Sequence, residues 1–310
     1  MMKHRDTEDP NNRMEWFMGP KYSFKALVNS TFDGRSVWAG MNSAGFCIIN
    51  TATYDLKDDD VPYSEMDQEG VLMFNALGIC ESVEDFQNYL DTLTKPWHVE
   101  ANFGVIDAFG GAAYFEANNH EYVRFNVADE PGGYMVVTNF TRTGRKDDRL
   151  GVDRWEKACD IMEGIDVSHA GHKVLFNEIS RSYLPILRDI SACSIVMEGV
   201  PSGSDPSETV MWTICGCPSN CIYVPLRNTG RDDIPAFMKS SLGSENAEIC
   251  DIALRYKSSF GLEPGCVNNC RLIENKLDRG FDASIGNKKY SRITRKAFKA
   301  FKNISASRKY

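Results

Sequence analysis

No run of eighteen apolar residues occurs in this 310-residue chain, so no segment is expected to cross a membrane as a helix. The opening MMKHRDTEDPNNRMEWF has no basic stretch followed by an apolar one, and so does not read as a signal peptide. There is no GxGxxG, P-loop, HExxH or GxSxG, which removes the usual signals of nucleotide folds, zincins and α/β-hydrolases. Positive charge is in deficit, with 35 Lys and Arg against 43 Asp and Glu and a net charge of −8. A surface that acidic cannot replace the counterions of a nucleic acid, so nucleic acid is excluded as a general partner. With 24 Gly and 12 Pro, collagen-like and low-complexity architectures are excluded. The ten Cys are too few for a disulfide scaffold. Cys215-x-Cys217-x3-Cys221 and Cys266-x3-Cys270 match no zinc spacing and have no His beside them. They read as buried free thiols rather than metal ligands.

What the chain has is apolar material for a core, 42% of residues, arranged as short strands and helices. Strands are expected over 22–28, 36–39 and 45–51, with a turn at Asp33-Gly34 and a charged loop over 55–60. Helices follow over 70–79 and 82–93, the second opened by Ser82-x-x-Asp85, close to a capping box. Strands are expected again over 103–107, 112–116, 122–126 and 134–138. Asp107-x-x-Gly110-Gly111 reads as a hairpin turn, because a strand and not a helix follows it. Helices over 147–164 and 173–182 precede strands over 194–198, 209–215 and 221–226, and helices over 245–256, 268–278 and 288–304 complete the chain. Alternating groups of strands and helices imply one layered α+β domain over residues 1–310. The segment 286–310 forms a basic C-terminal helix, with nine Lys and Arg and no acid from Asn287 onward. Tyr290, Ile293, Ala297, Phe298, Phe301 and Ile304 recur there at helical spacing, so the helix is expected to pack one face on the body; binding to an anionic membrane surface is the less favoured alternative.

The five His have no Cys in a catalytic context, which argues against a papain-like pair. Cys47, inside GFCIINT, reads as core. Polar residues instead gather at strand ends: Lys3-His4-Arg5-Asp6, Asn50-Thr51 and Val136-Val137-Thr138-Asn139. A strand-end Asn is ordinarily a turn former. Several such ends in one β-rich body can also converge on one edge of a layered sheet.

The runs GMNSAGFCIINTATY, FGVIDAFGGAAYFEANNHEYVRFNV, VVTNFTRTGR and TVMWTICGCPSNCIYVPL resemble, in order and spacing, the N-terminal-nucleophile hydrolases of linear amides. That group includes the choloylglycine hydrolases, the penicillin V acylases and the acyl-CoA:isopenicillin N acyltransferase-like proteins, the last of which the chain resembles most. The resemblance covers roughly residues 1–230. It implies a four-layer αββα sandwich of two antiparallel sheets and a hydrolase or acyltransferase acting on a small acylated amide. It implies no metal and no organic cofactor. In such proteins an N-terminal Cys is the nucleophile and its own α-amine, with a pKa of about 7.7–8.0, the base. The resemblance assigns Asp6 to holding that amine, Asn139 to stabilising the oxyanion, and Asn50 or its neighbour Thr51 to a second such contact. Lys3 falls where the family often carries Arg, which keeps the charge and loses the bidentate fork; Arg5 supplies a guanidinium nearby.

The family pattern places the nucleophile about fifteen residues, one hairpin arm, before Lys3-x-x-Asp6. No Cys precedes Cys47 in this sequence. The expectation is therefore a chain that starts after its nucleophile, truncated or inactive, and the alternative is a non-catalytic relative that binds an acyl ligand. The compartment, disulfide state, substrate identity and homo-oligomer formation are left open by the sequence.

Overall fold

The computed structural model describes residues 1–31, 35–56, 60–147, 149–241 and 243–306. One antiparallel sheet holds β1 (Met2–Asp6), β9 (Ser191–Glu198), β10 (Val210–Ile214) and β11 (Tyr223–Leu226), in the order β1-β9-β10-β11. A larger one runs in sequence order through β2 (Asn12–Met18), β3 (Ser23–Asn29), β4 (Ala39–Asn42), β5 (Cys47–Ala52), β6 (Ala101–Ile106), β7 (Ala112–Ala117) and β8 (Tyr122–Asn126). A short ribbon pairs β12 (Ser240–Ser241) with β13 (Ser244–Ala247).

Side-chain alternation decides the layering. In β3, Leu27 packs into one core while Ala26 and Val28 pack into a second; in β5, Ile49 and Ile48 divide the same way. A strand apolar on both faces must be covered on both. Its outer face lies under α1 (Glu69–Ile79) and α2 (Val83–Thr92), whose Leu72, Met73, Leu77, Phe86 and Leu90 fill that core. Its inner face meets the four-stranded sheet through Met14, Leu27, Ile49, Ile195 and Ile214. Beyond the smaller sheet lie α5 (Glu248–Phe260), α6 (Pro264–Asp278) and α7 (Asn287–Ala306). The remaining helices, α3 (Val152–Glu163) and α4 (His172–Val174), join β8 to β9, and α4 continues as a π-helix over Leu175–Ser180. The chain is thus an α+β sandwich of two antiparallel sheets, as expected.

Local signals held where backbone chemistry is local. Ser82 caps α2, its Oγ accepting the Asp85 N–H at 3.0 Å. Asp107 Oδ1 accepts from the N–H groups of Phe109 and Gly111, and Gly110 takes φ +91° in the hairpin turn. Gly40 lets α1 sit on β4, since a Cβ there would run into Leu77. Along α7, Tyr290, Ala297 and Phe301 are buried, so its apolar stripe is spent on the body. All ten Cys are free, nine of them buried, and burial pushes the Cys47 thiol up to about 12. The Asp33-Gly34 turn and the middle of the 55–60 loop lie outside the described residues.

Three expectations need correction. Residues 134–138 form no strand. Two of their carbonyls are taken by side chains, Trp155 Nε1 bonding Val136 O at 3.1 Å and Asn102 Nδ2 bonding Thr138 O at 3.3 Å. The helix expected over 173–182 is largely a π-helix ending at Ser180. Residues 245–247, read as the start of a helix, belong to strand β13 (Ser244–Ala247). Strand β2, which pairs with β3 along its whole length, was not anticipated.

Candidate active site

A cavity of about 800 Å³ opens between the exposed edge of β1, the end of β5, the irregular segment 133–139 and helix α3. Its lining includes Lys3, Arg5, Asp6, Asn50 and Asn139, all five residues singled out in the sequence, together with Thr51. They come from positions remote in the chain, and the fold gathers them by stacking the two sheets.

Lys3 links the sheets. Its Nζ donates to the Asn50 main-chain oxygen and, at 3.0 Å, to Asn50 Oδ1. No carboxylate pairs with Lys3 among the described residues, and burial, reinforced by the Arg5 charge, lowers its pKa to about 7. Arg5 lies two positions along the same strand. It donates to Asn12 Oδ1 and Asn29 Oδ1, each at 2.8 Å, and stacks 4.9 Å from the Trp38 ring. These contacts fix the end of β1 onto β2 and β3.

The β1–β9 register shifts between Arg5 and Asp6, a bulge that ends the strand. Asp6 accepts from Arg188 Nε at 3.0 Å and from Arg188 Nη2, and from Ser191 Oγ at 2.7 Å; His4 Nε2 stands 3.4 Å from its other face. Burial opposes its ionisation, but the hydrogen bonds from His4, Ser191 and Arg188 outweigh burial and hold the carboxyl well below the usual range.

Asn139 is anchored at both ends of its amide. Its Nδ2 donates to Ala52 O at 2.8 Å, and its Oδ1 accepts from Arg154 Nη2 at 2.7 Å. One of its two N–H groups therefore has no protein partner among the described residues. Asn50 spends its Oδ1 on Lys3, and its Nδ2 donates to no described residue. Ala52 and Asn50 share β5 two residues apart, so the two amides stand at one strand end. Such a pair of N–H donors can hold a carbonyl oxygen, and holds it better as negative charge develops there. Part of the remaining wall is apolar, with Leu150, Met162, Leu175, Ile179 and Ile186. Arg154 and Arg188 were missed from the sequence. They carry no motif, one in the first turn of α3 and the other in a loop before β9, and only their tertiary partners mark them.

No Cys or Ser is among the described residues that line the cavity. No three His, Cys, Asp or Glu come together as metal ligands among the described residues. No described helix is long and apolar enough to cross a membrane.

No protein-family model matches the sequence, and no curated protein matches it. Solved structures do. The Caenorhabditis elegans N-acylethanolamine-hydrolyzing acid amidase ortholog matches with a TM-score of 0.52 at 12% identity, over 63% of this chain and 86% of that one. Penicillin V acylase from Agrobacterium tumefaciens matches with a TM-score of 0.50 at 16% identity, over 80% of this chain and 89% of that one. Both neighbours are amide hydrolases of the N-terminal-nucleophile superfamily, and the chain shares their fold. At such identities the likeness speaks to fold alone.

Proposed function

We propose that the cavity takes a small linear acyl amide and that the protein is an amide hydrolase or acyltransferase of the N-terminal-nucleophile cysteine type. The observation that carries this reading is the pair of amides, Asn50 and Asn139, both in the cavity lining and each with an N–H that no described residue accepts. In the proposed arrangement the two amides hold the substrate carbonyl oxygen, and the acyl chain lies along Leu150, Met162 and Ile179. Lys3 fixes the Asn50 side chain, and Arg154 fixes that of Asn139. Asp6, kept ionised by its partners, suits the anchoring of an ammonium group at the β1 edge. Arg5 holds the strand that carries both. The thiol and α-amine of an N-terminal Cys supply the attack and its base in this scheme.

A second reading, an acyl-ligand-binding protein without turnover, is favoured by the absence of Cys and Ser from the described lining. One experiment separates the two. The protein is offered N-acyl amino acids, N-acylethanolamines and phenoxyacetyl amides, with binding followed by calorimetry and product by chromatography. Turnover that a thiol alkylator abolishes supports the hydrolase. Saturable binding with no product supports the second reading, and no binding of any acyl amide overturns both.

A further inference from the structure

Lys3 is an unusual amine by its surroundings. Its Nζ touches two acceptors, the main-chain and side-chain oxygens of Asn50, and both are neutral. Asp6, the one acidic side chain among the described residues that line the cavity, is already bonded to Arg188 and Ser191. The nearest charge along the strand is the like charge of Arg5. A neutral amine has two N–H groups and one lone pair. Asn50 accepts both hydrogens, which leaves the third tetrahedral position, the lone pair, with no protein partner.

We propose that Lys3 is a carbonyl-capturing amine, which condenses with an aldehyde or ketone lodged in the cavity to form an imine. The Nζ lone pair forms the C–N bond as the carbonyl π pair moves onto oxygen. That oxygen gathers the two hydrogens the nitrogen gives up and leaves as water, so a C=N bond remains and nothing is oxidised or reduced. The Asn50 oxygens that hold those hydrogens lie on the route they take. The apolar wall, with Ile106, Tyr114 and Ile179, suits an aliphatic carbonyl compound and disfavours return of water to the imine. Desolvation and a neighbouring cation are the two general means of activating a lysine as a nucleophile, and both operate here: they bring its pKa to about 7 and leave much of the amine free at neutral pH. This site needs no amide turnover, so it stands or falls apart from the hydrolase reading.

The test uses hexanal with cyanoborohydride, which reduces the imine to a stable secondary amine, on the full chain. Fragment spectra after proteolysis distinguish Lys3 from any α-amine. Lys3 should be labelled at least about tenfold faster than exposed Lys21 at neutral pH. Its rate should fall as pH drops below about 7, where the amine takes up a proton. Asn50→Asp, which puts a carboxylate against Nζ and favours the charged amine, should slow Lys3 by about tenfold and leave Lys21 unchanged. Labelling of Lys3 no faster than Lys21 in the unsubstituted protein overturns the proposal, and so does a rate that still climbs toward pH 10 in parallel with Lys21. These two readings need no variant to fold.

Discussion

Two of the inward-facing cations of this molecule, Arg181 and Lys3, have surroundings that differ in one respect. Arg181, on the far side of the smaller sheet, is fully buried and is bonded by Glu274 in a bidentate pair at 2.7 and 2.8 Å. Its remaining donors reach Pro218 O, Cys221 O and Asn177 Oδ1, and Glu274 also accepts the Tyr223 N–H. Every group there has a partner, and the cluster ties α6 to β11. Lys3 has only neutral oxygens and opens on a cavity. A buried charge with a matched acid is part of the scaffold. One without an acid is a cost the fold carries, and it sits where a ligand can enter.

The comparison can be broken most sharply at Glu274. Glu274→Ala leaves the Arg181 guanidinium buried without its partner, and should destabilise the protein by about 3–5 kcal/mol in chemical denaturation. A loss below about 1 kcal/mol would show that water reaches Arg181 and that the cluster is not the scaffold element described. At the cavity the largest effect should appear in catalysis instead. Asn139→Ala should lower kcat about 10²–10³-fold for the amide turned over fastest, with the denaturation midpoint little changed. An unchanged kcat removes Asn139 from the mechanism.

Lys3→Met sharpens the contrast through pH. The Lys3 pKa is lower in the folded state than in the unfolded chain, so the unfolded chain binds more protons between about pH 7 and 10. Stability therefore rises with pH across that window, and the substitution should flatten the rise while leaving stability near neutral pH equal or higher. A slope unchanged in the variant would contradict the assignment. The smallest effect is expected at His172, which stacks on Trp212 at 3.5 Å with Nδ1 2.9 Å from Glu198 and Nε2 3.5 Å from Asp278. Burial lowers its pKa, but the Asp278 and Glu198 bonds outweigh that and raise it. Its stabilisation is thus complete below the unfolded value of about 6.5 and is lost as pH rises through the folded one. His172→Phe keeps the stack and should remove that pH dependence at a cost of about 1 kcal/mol in acid.

Residues 134–138 and β2 show where reading by pattern stops. The segment 134–138 has the composition of a strand, but among the described residues it pairs with no strand. Trp155 and Asn102 bond two of its carbonyls, and its residues line the cavity. Asn12–Met18 mixes three polar residues with four apolar ones, and pairing with β3 makes it a strand. Composition states what a segment tolerates, and the available hydrogen-bond partners decide what it becomes.

The sequence by itself determined the features that rest on near neighbours in the chain. These are the cap at Ser82, the turn at Asp107, the two-faced alternation of β3 and β5, the apolar stripe of α7 and the concentration of polar residues at strand ends. Each follows from a period of two or of 3.6 residues, or from a side chain bonding its own backbone. Only the tertiary structure decided that Lys3 meets Asn50, that Arg154 meets Asn139 and Arg188 meets Asp6, and that Arg181 has an acid while Lys3 has none. Contacts between residues so far apart in the chain leave no local trace, because they are set by how the two sheets stack and by which charges that stacking leaves without a partner.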